Sequence, residues 1–264
     1  MRFLITNDDG IDSAFLRPLV AALREAGHGL YVAAPRHEQS WVGAAKSRTR
    51  PVHSALADKG FGCPTWVVDG TPSDCVNIAI AHLLPAGEDL QIDGVVSGIN
   101  IGLNASLGFV LASGTLAGAW EGAIHGLPAV AFSQEVADEV YYHLKSNPGV
   151  LEPALAATLD ASARHAARLA AEAIAATGPN RFTVHNFNFP SPCTADSPLR
   201  RTVPAHLLVP GLFTPQAEDG THRLIFKAGE DVSPAEPLTD RAALAAGCIS
   251  HTILDYTRVG VPPP

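Results

Sequence analysis

The sequence predicts an α/β fold: a Rossmann-like, doubly wound, mostly parallel sheet with a smaller extended C-terminal subregion. Three observations carry this prediction. Short continuous apolar runs are bounded by turn residues, segments of helical periodicity alternate with them, and from residue 191 onward the chain turns Pro-rich and irregular. The first run, Phe3-Leu4-Ile5-Thr6, is apolar on both faces of an extended chain, as a strand covered from both sides must be. Asn7-Asp8-Asp9-Gly10 then ends it in a turn. Over 14–26, Phe15, Leu16, Leu19, Val20 and Leu23 recur at helical spacing and Gly27 supplies a stop. Leu30-Tyr31-Val32-Ala33-Ala34 is a second strand broken by Pro35, which completes a right-handed βαβ unit. The pattern repeats with strands at 66–68, 94–97 and 129–133 and helices at 74–84 and 114–125. An Ala-rich helix at 151–176, with Pro153 near its start and Gly178-Pro179 past its end, and a strand at 182–187 fill out an α/β domain over 1–190. The remaining 191–264 offers strand candidates at 207–209, 224–226 and 249–254 and a helix at 240–246, a subregion suited to pairing with another subunit. Pro262-Pro263-Pro264 reads as a frayed tail.

Length and composition narrow the function classes. A chain of 264 residues holds one large domain or two unequal ones. Its net charge of −8 repels a phosphodiester backbone, so a nucleic-acid duplex is not an expected partner. Hydrophobic residues make up 47% and charged ones only 17%, which excludes extended disorder and implies large apolar contacts. Cys63, Cys75, Cys193 and Cys248 form no C-x-x-C pair, so neither a zinc knuckle nor a dithiol redox site is encoded, and buried free thiols are expected. The apolar run at the N-terminus is too short for a signal-peptide core. The uncharged stretch 94–120 is interrupted by Ser97, Asn100, Asn104, Ser106, Ser113 and Thr115, and reads as strand, loop and helix rather than a membrane span. A cytoplasmic protein with no membrane partner is the expectation.

In doubly wound sheets ligands sit at the carboxyl ends of the strands, and three such ends carry chemistry here. Asp8 and Asp9 are adjacent carboxylates directly after the first strand. Either a hard divalent cation, Mg²⁺ or Mn²⁺, neutralises them, or they cap the following helix. Ser97-Gly98-Ile99-Asn100-Ile101-Gly102-Leu103-Asn104 brings amide groups and flexible backbone to a second strand end, as a ligand loop or an ordinary tight turn would. Ser113-Gly114-Thr115 opens a helix, where free N–H groups and the dipole form a phosphate cradle, and where Ser or Thr is equally a common N-cap. The convergence of three such loops favours a phosphate-and-metal site over three coincidences.

These segments, together with Ala34-Pro35-Arg36, Gln39-Ser40, Asp69-Gly70-Thr71-Pro72-Ser73-Asp74, Glu121-Gly122-Ala123, Asn186-Phe187-Asn188-Phe189-Pro190 and Thr239-Asp240, resemble the survival protein SurE family. Its members are 5′/3′-nucleotidases, metal-dependent phosphatases acting on nucleoside monophosphates. The resemblance covers nearly the whole chain. It implies a divalent metal, Mg²⁺ or Mn²⁺, held by Asp8, Asp9, Ser40 and Asn100, and a phosphate pocket at Asn104, Ser113, Gly114 and Thr115. It implies catalytic roles for Asp8 and Asp9, the latter orienting or deprotonating the attacking water. It makes Gly70-Thr71-Pro72 a rigid border with Asp74 capping a helix behind it, 1–190 the catalytic domain, and 191–264 the part that builds a homodimer or homotetramer. The substrate would be a small phosphomonoester.

The chain departs from the family pattern in two loops, 36–43 and 105–112, where Arg36-His37-Glu38-Gln39-Ser40-Trp41-Val42-Gly43 keeps the serine but changes its neighbours and the usual paired aspartates are absent. Asp12 stands where a histidine is common, and Arg241-Ala242-Ala243-Leu244 lacks another. His37 reads as an exposed loop residue or as a metal, phosphate or proton-transfer group, and His125 and His185 as structural. Trp41 and Phe109 read as stacking partners for a nucleobase or as packing and subunit contacts. A catalytically weak nucleotide-binding or interaction protein is the alternative these loops keep open. A phospho-acceptor receiver is disfavoured, because Asn100 and Ser133-Gln134 occupy the strand ends where it needs an aspartate and a lysine.

Overall fold

A computed structural model of the chain describes residues 1–85, 91–146, 151–225, 227 and 229–260. One sheet dominates it. In chain order the strands are β1 (Arg2–Thr6), β2 (Gly29–Pro35), β3 (Ser54–Leu56), β4 (Thr65–Val68), β5 (Gly94–Ile101), β6 (Ala129–Gln134), β7 (Thr183–Phe189), β8 (Leu199–Thr202), β9 (Leu207–Leu208), β10 (Glu230–Asp231) and β11 (Ile249–Asp255). The helices are α1 (Leu16–Glu25), α2 (Pro72–Ile78), α3 (Leu107–Ala112), α4 (Gly114–Ile124), α5 (Asp138–Ser146), α6 (Pro153–Thr177) and α7 (Asp240–Ala245). The nine-stranded sheet runs β3-β4-β2-β1-β5-β6-β7-β11-β8. It is parallel from β4 through β7 and again between β11 and β8, while β3 on β4 and β11 on β7 are antiparallel.

Strand order reverses between β1 and β5. The chain first builds outward through β2 and β4, then returns to add β5, β6 and β7 on the other side. That reversal opens a crevice at the carboxyl ends of β1 and β5, where open α/β sheets bind ligands. Both faces of β1 are covered, which explains its unbroken apolar run. Phe3 and Ile5 pack into the cluster with α1 and α6, and Leu4 into the one with α2 and α4. Stacked rings of Phe132 and Phe187, 5.3 Å apart, fill the first layer. On the other face α4 lies close against the sheet, since a Cβ on Gly122 would stand 2.4 Å from Val95 Cγ2. This close seating aims the N-terminus of α4 at the crevice.

The expected series of strands and helices is present, with differences that have local causes. The helix expected over 74–84 becomes α2 followed by a π-turn at Ala79–Leu83. A capping box starts α2: Thr71 Oγ1 accepts from Asp74 N at 3.2 Å and Asp74 Oδ2 from Thr71 N at 2.9 Å. Two helices, α3 and α5, stand outside the expected series. The expected strand at 207–209 is β9, which pairs with β10 in a ribbon outside the main sheet. Leu224 makes only an isolated bridge to Phe213, and Phe226 and Pro262-Pro263-Pro264 lie outside the described residues. The segment after 190 also supplies β8 and β11 to the main sheet. All four cysteines are free, three buried and Cys63 half-buried. Among the described residues no helix is long and apolar enough to cross a membrane.

Candidate functional site

The turn after β1 is fixed from within. Asn7 Nδ2 donates to the Gly10 carbonyl at 2.8 Å, and Gly10 takes φ +94°, a left-handed conformation natural to glycine. Helix α1 begins only at Leu16, with Phe15 at its N-cap and no side-chain cap bond. The helix-cap reading of Asp8 and Asp9 therefore fails: both carboxylates sit in the crevice, six or more residues ahead of the helix.

Asp8 is buried, 3% exposed. Thr115 Oγ1 donates to its Oδ1 at 2.5 Å, and Asn104 Nδ2 donates to Thr115 Oγ1 at 3.3 Å and to Ser133 Oγ at 2.8 Å. Asp8, Thr115 and Asn104 thus form one chain of hydrogen bonds. Gly114 stands against the same carboxylate, where a Cβ would lie 2.8 Å from Asp8 Cβ, 3.0 Å from Asp8 Oδ2 and 2.8 Å from the Gln39 carbonyl. Ser113 is the N-cap of α4, its Oγ accepting from Leu116 N at 3.0 Å. The two readings of Ser113-Gly114-Thr115 are divided: Ser113 caps the helix, Thr115 serves Asp8, and Gly114 allows both to approach.

Asp9 and Asn100 come from the two strands that flank the crevice. Ile101 N donates to Asp9 Oδ2 at 2.9 Å. A register shift in β5 between Ser97 and Asn100 re-aims the strand end, as bulges beside active sites do. Asn100 Nδ2 is engaged with the Gly102 carbonyl at 2.8 Å, which leaves Oδ1 as the atom it can offer. Ser40 rides on a loop joined to the site by Gln39 N donating to the Asp8 carbonyl at 2.7 Å. Its hydroxyl donates to Glu38 Oε1 at 2.6 Å, so Ser40 is engaged with a neighbour in its own loop.

Burial dominates the electrostatics. It pushes the Asp8 carboxyl up to about 6, against hydrogen bonds from Thr115 that favour the charged form, and the Glu38 carboxylate adds to the rise. Among the described residues no cationic side chain pairs with Asp8. Beside it, Asn7 Oδ1 is a buried acceptor without a hydrogen-bond partner. A desolvated carboxylate and an orphaned amide oxygen, at strand ends that also carry Asp9 and Asn100, make an all-oxygen set of donors. That set fits a hard dication such as Mg²⁺ or Mn²⁺. Among the described residues no three His, Cys, Asp or Glu side chains converge on one point.

Two adjoining clefts open beside this centre. One, of about 310 Å³, is lined by Asp9, His37, Glu38, Ile101, Tyr141 and Leu144. The other, of about 360 Å³, shares Asp12, Arg36 and His37 with it and reaches Lys59. His37 therefore borders the site through the cleft wall. His125 lies elsewhere, beside Glu121 and Asn77, and His185 pairs with His251 and Thr177. Trp41 and Phe109 meet edge to face, centroids 5.4 Å apart.

Asn186, Asn188 and Asp240, which the sequence marks only through the family resemblance, also shape the site. Asn188 Oδ1 accepts from Asn104 N at 2.8 Å, and Asn186 Nδ2 donates to the Asn104 carbonyl at 2.8 Å, so β7 holds Asn104 by its backbone. Asp240, fully buried, accepts from Ser106 N at 2.8 Å and Ala205 N at 2.9 Å, clamping the next turn of the same loop. The signal for the first pair was present: alternate asparagines in an otherwise apolar strand place two amides on one face.

Comparison with known proteins bears on the family and the fold. The family profile described as Survival protein SurE matches residues 3–206. The 5'-nucleotidase SurE of Desulfovibrio desulfuricans is 34% identical over 261 residues, covering 97% of this chain and 94% of that one. The 5'-nucleotidase SurE of a Nostoc species is 40% identical over 135 residues, a stretch of about half of each chain. Among solved structures, the SurE protein from Aquifex aeolicus superposes with a TM-score of 0.68 at 27% identity, covering 97% of this chain and 93% of that one.

Proposed function

The chain belongs to the survival protein SurE family, and on that premise we propose that it hydrolyses phosphomonoesters, with nucleoside 5′- or 3′-monophosphates as substrates. The observation that carries the proposal is the buried Asp8 carboxylate, which has no cationic partner among the described residues and sits at the switch point of the sheet with Asp9 and Asn100 beside it. Asp8, Asp9, Ser40 and Asn100 would hold Mg²⁺ or Mn²⁺. When bound, the dication supplies Lewis-acid stabilisation of phosphoryl charge and acidifies water.

The chain's own residues do the rest. Thr115, Gly114 and Ser113 set the N-terminus of α4 against the reacting group, where its dipole favours negative charge. Asn104, its backbone held by Asn186 and Asn188, would present its Nδ2 to the phosphoryl oxygens by exchanging its bonds to Thr115 Oγ1 and Ser133 Oγ. Asp9, less buried than Asp8, orients the attacking water and receives its proton. Thr115 keeps Asp8 charged by hydrogen bonding to it.

The functional division follows from the same reading: 1–190 carries the catalysis and 191–264 assembles a homodimer or homotetramer in the cytoplasm, although the two share one sheet. Supporting it, the C-terminal excursion leaves large apolar side chains open to solvent, Leu208 and Phe213 each 60% exposed. Phosphate release from AMP and 3′-AMP, with Mn²⁺, with Mg²⁺ and with EDTA, tests the proposal. It stands if Mn²⁺ or Mg²⁺ supports turnover that EDTA abolishes and falls if the chain releases no phosphate under any of these conditions.

A further inference from the structure

Residues Gln39 to Gly43 form a strap across the edge of the site. At one end Gln39 N bonds the Asp8 carbonyl and the Gln39 carbonyl abuts Gly114; at the other, Gly43 N donates to the Ala112 carbonyl at 3.0 Å, the residue just before Ser113. Trp41 stands at the middle of this strap. Its backbone takes φ +65°, a conformation glycine adopts freely and a bulky L-residue rarely does. The indole does not recover that cost by burial, since 41% of Trp41 is exposed. It meets Phe109, three residues before Ala112, edge to face. That contact leaves part of the indole exposed to solvent, on a strap whose two ends bond to Asp8 and to the residue before Ser113.

We propose that Trp41, backed by Phe109, is the stacking platform for the nucleobase of the substrate and sets the preference for nucleotides over other phosphomonoesters. This rests on the nucleotidase reading above. A base is flat, aromatic and tethered by its sugar within reach of a bound phosphate, so a ring on the strap that touches both Asp8 and Gly114 is placed to receive it. Stacking tolerates any base because every base has a π-face, so the platform distinguishes nucleotides from base-free phosphates more than it distinguishes one base from another.

The test compares Trp41→Gly, Trp41→Phe and the unaltered protein on AMP and on ribose 5-phosphate. Glycine removes the ring while suiting the positive φ, so the strap keeps its path; phenylalanine keeps a ring. The kcat/KM ratio of AMP to ribose 5-phosphate should fall about 10- to 100-fold in Trp41→Gly, chiefly through KM for AMP, and largely return in Trp41→Phe. Adenosine alone should quench tryptophan fluorescence in the unaltered protein and lose most of that quenching in Trp41→Phe. An unchanged ratio in Trp41→Gly, or a shift in oligomer mass with the ratio intact, overturns the platform and assigns the pair to subunit contact. If the unaltered protein turns over neither ester, the nucleotidase reading fails instead, and the adenosine titration still decides whether Trp41 stacks on a base.

Discussion

Replacing Gly114 by alanine separates site geometry from helix stability, because the two respond in opposite directions. Gly114 opens α4 with no left-handed φ, so the backbone accepts alanine, and intrinsic helix propensity favours it by up to about 1 kcal/mol. The new Cβ, however, would lie 2.8 Å from both Asp8 Cβ and the Gln39 carbonyl. Ordinary contact begins near 3.4 Å, so the Asp8 turn and the 39–43 strap must give way by about 0.6 Å. Misplacement on the order of 1 Å costs roughly 100-fold in rate, so kcat/KM on AMP should drop about 10- to 100-fold. Melting temperature should change little, as the packing strain and the propensity gain oppose each other. Gly211→Ala, where a Cβ meets nothing within 4 Å, is the control in the same assay. A Gly114→Ala enzyme within threefold of the parent would refute the claim that Asp8, Gly114 and Gln39 form one tightly fitted centre.

Asp8→Asn should cut metal-dependent turnover by roughly 100-fold or more, as loss of a metal-binding carboxylate would, while circular dichroism shows an intact fold; residual activity above a few per cent would contradict it. Asp240→Ala strips the acceptor from Ser106 N and Ala205 N, and urea unfolding should show a loss of roughly 2–4 kcal/mol with a parallel fall in kcat as the Asn104 loop loosens. His185 and His251, whose rings meet at 2.9 Å, are held neutral: burial first, then Arg201, depresses His185 to about 4, and burial, His185 and Arg201 depress His251 to about 3. Both folded values lie below the unfolded one, so the unfolded chain takes up protons first and stability is lost as pH falls from about 6.5 toward 4, on the order of 2 kcal/mol for His185 alone. Thermal melts of the parent against the double His185→Gln, His251→Gln variant should show that slope in the parent and a flatter one in the variant.

Much of the site was legible because chain connectivity itself places it. Phe3-Leu4-Ile5-Thr6, too short for a helix and ended by a turn, reads as a strand covered on both faces, and two aspartates directly after it then lie at the carboxyl edge. What the sequence could not show was distance. Asn104 is held by Asn186 and Asn188 from more than 80 residues away, and only the order β5-β6-β7 brings them together. Helix α3 was hidden because six residues, Leu107-Gly108-Phe109-Val110-Leu111-Ala112, carry too little periodicity to distinguish a helix from a loop. The place of β8 and β11 was hidden for a similar reason: short strands after a Pro-rich stretch read as a separate subregion until β11 is seen to pair with β7. Ser113 shows the reverse case, where local chemistry fitted two roles and the bond to Leu116 N shows its side chain filling the cap.

The central claim is that the acids after β1 hold a divalent cation at the switch point of the sheet. Anomalous diffraction from crystals soaked in Mn²⁺ measures this directly. A single strong peak bounded by Asp8, Asp9 and Asn100 is expected, absent from crystals of Asp8→Asn; a parent crystal with no manganese at that position, or with manganese bound equally in the variant, would rule the cation site out.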